Sequence, residues 1–284
     1  MLQGSLITKD LFVLSLNYEY EYLGDAMFGT APIPNINQEV THISTVSVFA
    51  SYGVTEWFGA AVVLPFRSIT NDKILLPGQY DNQYQGGEYV RHAAGLSDVV
   101  LMLNFAPPLP DALPGLLFSA GVKLANGSTH AVDEYGSRFA DLLQVGSGSM
   151  DPIFSVSLSR AFDNLFFSGM LFTRIISREN VYGYKYGNEF QGIFSMDYMH
   201  GDLFFAGLSL NHVHTARDYF QYGKIARKRG GTWLYMAPKV GVRAMENLNL
   251  EARLPLPVYQ NVNESQLTSD YQLHVGATYH FLAR

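Results

Sequence analysis

The sequence has no cysteine, which removes disulfides, thiolate metal sites, thiol nucleophiles and covalent c-type haem attachment from consideration. That absence is compatible with an oxidising envelope compartment. Charge is sparse: Asp, Glu, Lys and Arg make up 15% of the 284 residues, and the net charge of -6 argues against a general nucleic-acid binder. Long apolar runs are missing too. No stretch approaches the roughly 18 consecutive apolar residues that a membrane-crossing helix needs, so helical insertion is excluded. Met1 is followed by LQGSLITKD, with neither a basic n-region nor an apolar h-region, so any export signal is expected to have been removed.

What the chain does contain is aromatic side chains, glycine and a two-residue rhythm. Tyr numbers 18, Phe 19 and Gly 26, a high share for a water-soluble protein. No window of useful length carries a helical stripe, whereas segment after segment alternates apolar with polar, so strands are the units. Leu11 to Tyr22 sets Phe12, Leu14, Leu16, Tyr18, Tyr20 and Tyr22 against Val13, Ser15, Asn17, Glu19 and Glu21. One face suits lipid and the other water. The same reading gives strands at Val40 to Tyr52, Trp57 to Arg67, Ser97 to Ala106, Leu116 to Ala125 and Ile153 to Arg160. It continues through Leu165 to Ile175, Phe190 to His200, Leu203 to Thr215, Thr232 to Arg243, Leu248 to Pro257 and Tyr271 to Phe281.

The connections alternate between short turns and long loops. YGVTE, RAFDN, HGD, MEN and the longer PPLPDALPG are the short ones. Gly24 to Glu39, Ile69 to Gly95, Asn126 to Met150, Ser177 to Glu189, Ala216 to Gly231 and Val258 to Asp270 are the long ones. Outer-membrane barrels have short periplasmic turns and long extracellular loops, and an even strand number puts both termini in the periplasm. A soluble sandwich could also alternate. Against it stands strand length: roughly 9 to 12 residues is the reach needed to cross a bilayer at about 45° tilt, while globular strands average about 5 or 6. Backbone satisfaction supplies the cause, since inside hydrocarbon every N–H and C=O must be paired and only a closed sheet achieves this. The expected fold is therefore all-β: one closed antiparallel transmembrane β-barrel of about twelve strands over residues 1–284, with 1–10 as a periplasmic N-terminal segment.

The ordered phrases YGVTEWFGAAVVLPF, GLSDVVLMLNF, GVKLANG, LQVGSGSMDPIFSVSLSR, MAPKVGVR before LNLEARLPLPVYQN, and YQLHVGATYHF resemble an outer-membrane family named for phenol degradation by the meta pathway. The similarity covers most of the chain. It departs at Asn126-Gly127, where the family has Thr-Gly, and at Pro238-Lys239, where it has Pro-Gly. The resemblance implies a channel in the Gram-negative envelope for small organic or aromatic compounds.

If the apolar faces meet lipid, the opposite parity puts Glu19, Glu21, Arg67, Asp98, Lys123, Asp197, Glu251 and Arg253 into the lumen. Uncompensated charge is costly in an interior, so these are expected to pair across strands or to meet water along a polar path. Eight-stranded barrels are filled by side chains and 16-stranded ones hold an aqueous channel, so twelve strands imply a narrow or loop-plugged pore.

Other motifs have blander readings. His42 and Ser44 form an H-x-S pair similar to that of outer-membrane phospholipases, but neighbouring outward positions offer no Asn or Asp to orient the histidine, so the pair reads as rim polarity and the chain as no enzyme. His212-x-His214 lacks a third ligand, so no metal and no cofactor is expected. Lys224, Arg227, Lys228 and Arg229 concentrate positive charge in an extracellular loop, a solvated surface or a contact for lipopolysaccharide or an acidic partner. Tyr80, Tyr84 and Tyr89 mark the loop from Ile69 to Gly95 as a constriction or a docking element. Two functions follow: a passive channel for small organic solutes, or a barrel serving as sleeve or anchor for a larger envelope assembly, such as an electron-transfer conduit whose redox centres sit in a separate periplasmic partner.

Overall fold

Alternating side chains become the two faces of a single sheet that meets itself. The computed structural model describes residues 7–77, 86–110, 115–133, 136–201, 203–220 and 223–282. Its strands are β1 (Leu11–Gly29), β2 (Ala31–Pro32), β3 (Val40–Gly53), β4 (Phe58–Leu75), β5 (Gly87–Leu96), β6 (Val100–Phe105), β7 (Gly115–Lys123) and β8 (Asp151–Phe162). They continue with β9 (Leu165–Arg174), β10 (Glu189–His200), β11 (Phe204–Thr215), β12 (Asp218–Phe220), β13 (Lys224–Ala226), β14 (Gly231–Met245), β15 (Leu248–Arg253) and β16 (Leu256–Leu282). β5 and β6 both pair with β4 and form one stave interrupted at residues 97–99. β15 and the first residues of β16 likewise share one stave, and the remainder of β16 is the last. β12 and β13 form a hairpin of their own outside the wall.

Closure comes from β16 pairing with β1, from Leu11 opposite Leu282 up to Gly29 opposite Val262. The result is a closed antiparallel barrel of twelve strands. A closed ladder leaves no edge, which is the one way a sheet can have every backbone group paired. Parity then decides the faces: Leu16 is 54% exposed on the outside, while its neighbour Ser15, at 9%, faces in and hydrogen-bonds Thr278 across the β1–β16 seam at 2.9 Å. Rings crowd the outer face at both ends, with Phe12 against Phe281 at the short-turn end and Tyr22 stacked on Tyr271 toward the other.

Three of the expected loops are shorter than the sequence implies. β4 and β5 carry the wall through much of the segment Ile69 to Gly95, leaving only residues 76–86 as connection. Tyr80 and Tyr84 lie outside the described residues, whereas Tyr89 sits on β5. β1 runs on to Gly29, into the span expected to be loop from Gly24. The segment Val258 to Asp270 is not a loop at all: β16 reverses near Glu264, whose φ is 56°, and both arms stay paired. The cause is common to all three. Beyond the apolar band the outward positions turn polar, as at Ser68, Thr70 and Asp72 on β4, so the alternation fades while the hydrogen-bond ladder continues.

Candidate functional site

Of the eight charged residues expected in the lumen, Glu19, Glu21, Arg67, Lys123, Asp197, Glu251 and Arg253 lie on inward-facing strand positions, Asp98 lies in the interruption between β5 and β6, and several are matched in pairs. Lys239 Nζ lies 2.7 Å from Asp197 Oδ2, with both side chains buried. Gly207, between them in register, has no side chain to fill the space they occupy. On the β1–β16 side, Glu19 Oε1 is 3.3 Å from His274 Nδ1, and Arg253 Nη2 reaches the same nitrogen at 3.0 Å. Gln272 Nε2 donates to Glu21 at 3.1 Å. Buried charge is tolerable because each partner offsets the desolvation of the other.

Asp98, Lys123 and Asp151 form a separate centre at the root of the connection 124–150. Lys123 Nζ is 2.9 Å from both Asp98 Oδ2 and Asp151 Oδ2 and donates to the carbonyl of Ser149 at 2.8 Å. Asp98 sits in the gap between β5 and β6. From there its Oδ1 accepts the Gly127 amide at 2.9 Å and its Oδ2 accepts the Ser147 amide at 2.8 Å. One carboxylate thus ties the outgoing and returning limbs of the connection. Gly127 and Gly146 touch where these limbs cross, and a Cβ built on Gly146 would lie 2.3 Å from the Gly127 carbonyl. Gly146→Ala is expected to spread the limbs and expose the connection to proteolysis in the folded barrel; a variant as resistant to protease as the parent would refute the crossing as a constraint.

Above this root the chain folds back against the inner wall. Phe139, Leu143 and Val145 are buried against Ile69 and Ala93, with Ile43 and Ala131 alongside. Ile43, Ile69 and Ala93 are inward positions at the long-loop end of β3, β4 and β5. The buried Gln144 staples the excursion by accepting the Ala131 amide at 2.8 Å and donating to the Phe139 carbonyl at 2.9 Å. The next connection braces it. Asn180 Nδ2 donates to Asp141 Oδ1 at 2.8 Å, Tyr186 donates to the Asp141 carbonyl at 2.7 Å, and the Arg138 guanidinium lies 3.7 Å over the Tyr182 ring. Tyr184 in turn donates to Asp218, which also holds Arg229 at 3.3 Å. Burial, reinforced by these carboxylates, pushes the hydroxyls of Tyr184 and Tyr186 far above the ordinary phenol range, so both remain protonated donors at neutral pH.

Under this inward-folded cap the lumen widens into a cavity of about 690 Å³. Part of its lining is charged or polar, including Lys123, Arg174, Glu189, Gln191, Asp197 and Glu251. The rest is unexpectedly apolar: Phe49, Met102, Phe166, Met170, Phe172, Met199 and Phe205 all point inward. The sequence reading missed them because strands such as β9, LFFSGMLFTR, are apolar on both faces and show no alternation. Arg243 and His280 stand at the short-turn mouth of the same cavity.

On the outer wall, His42 Nδ1 is held by the Tyr20 hydroxyl at 2.7 Å, and Ser44 meets Tyr18 at 3.4 Å. A nearer serine–histidine contact joins Ser68 Oγ to His92 Nε2 at 3.2 Å, created by the β4–β5 register and not legible in either segment alone. No carboxylate or amide side chain orients His92 among the described residues. His214 bonds Thr232 at 2.9 Å and His212 lies beside Phe190, each on the outside. Lys224, Arg227 and Lys228 are exposed around the β12–β13 hairpin, whereas Arg229 turns back to Asp218.

No protein-family model and no curated sequence matches the chain, so the resemblance to the meta-pathway family rests on the quoted phrases. Solved structures do match. An outer-membrane channel from Pseudomonas putida F1 aligns over 99% of this chain and 100% of its own at a TM-score of 0.70 and 9% identity. A NanC porin aligns over 94% and 98% at 0.49 and 11% identity, and a FadL homologue from Pseudomonas aeruginosa over 95% and 90% at 0.44 and 10%. The latter two are too distant in shape to weigh. At its full coverage the Pseudomonas putida likeness establishes a shared fold, the twelve-stranded closed barrel.

Proposed function

We propose that this chain is an outer-membrane channel that passes small organic solutes, aromatic ones included, by diffusion through a lumen narrowed by its own loop 124–150. The observation that carries the reading is the cavity of about 690 Å³ under the cap, lined by both phenyl or thioether groups and charges. Such a wall is too apolar for a general ion path and too polar to be a packed core. It suits molecules with an apolar body and a polar end. A sleeve for a second polypeptide would need the space that Phe139, Leu143 and Val145 fill, so the channel reading is preferred. In this orientation the short turns face the periplasm and the capped end faces outward, where Lys224, Arg227 and Lys228 would meet anionic lipopolysaccharide.

Planar-bilayer recording of the purified protein tests the proposal. The intact barrel is expected to give small, noisy conductance. Replacing residues 129–145 with a short Gly-Ser linker, which keeps the Asp98 clamp, is expected to raise the unit conductance about fivefold, since twelve staves enclose more space than side chains fill. Silence from both forms, together with no solute uptake in liposomes, would sink the channel.

A further inference from the structure

Two arginines face one another's field at the top of the lumen, and neither is fully answered by the protein. Arg174, the last residue of β9, pairs with Glu189 at 2.6 Å. Its Nε is nevertheless buried with no hydrogen-bond partner. Arg67 lies on β4 between Thr45 and Gly95 in register, and the missing side chain of Gly95 leaves room beside it. Among the described residues no hydrogen bond or ion pair reaches its guanidinium. Glu21, Tyr186, Arg174 and Asp98 are within electrostatic reach of it. Of the acids, Glu21 accepts from Gln272, while Asp98 is occupied by Gly127, Ser147 and Lys123. An unpaired guanidinium beside a second, half-satisfied one is a costly arrangement that an anion would relieve, and guanidinium matches carboxylate in charge and geometry. Phe49, Met170 and Phe172 offer an apolar surface in the cavity that Arg174 also lines.

We propose that Arg67 and Arg174 bind the carboxylate of a small organic acid whose apolar body lies against Phe49, Met170 and Phe172. This rests on the channel reading and gives it a substrate class: monocarboxylates with a compact hydrophobic or aromatic body, in preference to neutral analogues of the same shape.

Calorimetric titration of the detergent-solubilised full-length barrel with benzoate, and with benzyl alcohol as its neutral counterpart, tests the assignment. The parent protein is expected to bind benzoate at least about tenfold more tightly than benzyl alcohol, the two differing by a charge-assisted hydrogen-bonded group. Arg67→Gln is expected to erase that preference and Arg67→Lys to restore part of it, with the heat-modifiable gel mobility of the folded barrel unchanged in both. Equal affinity of the parent for the two probes overturns the proposal without recourse to any variant, as does undiminished benzoate binding by folded Arg67→Gln. Liposome flux separates this from the broader reading: benzoate binding without flux supports the site and removes the channel, whereas benzyl alcohol flux without benzoate binding keeps the channel and removes the site.

Discussion

Lys123→Met is expected to unclamp the loop that narrows the lumen. Its ammonium is shared between Asp98 and Asp151, whose side chains are 5% and 0% exposed, and both lie 2.9 Å from Nζ. Removing one partner of a buried ion pair costs about 3–5 kcal/mol because the remaining charge is left without compensation. Here two carboxylates would be left facing each other. Asp98 also holds Gly127 and Ser147, so relief comes most readily by letting the root of the loop part. The unfolding midpoint in urea should therefore fall and the single-channel conductance should rise in the same variant. Adding Asp98→Asn and Asp151→Asn should recover most of the stability, since replacing an entire buried pair by neutral groups is often nearly cost-free. Unchanged midpoint and conductance in Lys123→Met would show that the clamp does not hold the loop.

Gly207→Ala should damage the wall twice over, by a steric clash and by breaking a buried ion pair. A Cβ there would lie 1.9 Å from Asp197 Oδ1 and 2.5 Å from the Met196 carbonyl, the latter being backbone that cannot swing aside. The carboxylate would have to leave Lys239, breaking a pair whose Nζ–Oδ2 distance is 2.7 Å and whose members are both buried. Overpacking costs about 1–3 kcal/mol on its own, and the loss of the pair adds about as much again. The measurable result is a lower urea midpoint and a smaller folded fraction on semi-native gels. Gly169→Ala is the control, because its nearest atom is an ordinary 3.8 Å from the added carbon. Equal stability of the two variants would refute the steric argument.

Residues on alternating strands were the legible part of this protein. Phe12, Leu14 and Leu16 against Ser15, Asn17 and Glu19 state their faces without help from the rest of the chain, because a strand has period two and the surroundings differ sharply on its two sides. The inward charges follow from that same parity. Phe166, Met170 and Phe172 did not follow, since β9 is apolar on both faces and only pairing with β8 and β10 decides which ring points in. The outer extensions of β1, β4 and β16 were hidden for the opposite reason: polar side chains on the solvent side erase the alternation that marks a strand.

The sequence by itself determined that the chain is a barrel, about how many strands it has, and which charged side chains belong to the inner face, because these depend on local period and on the distribution of apolar residues. Tertiary structure alone decided that loop 124–150 folds inward, that Asp98 ties both its limbs, and that Arg67, near Arg174, has no hydrogen-bond or ion-pair partner among the described residues. Those facts join residues far apart in the chain through strand register, and register is settled by the closed ring of hydrogen bonds and not by any single segment.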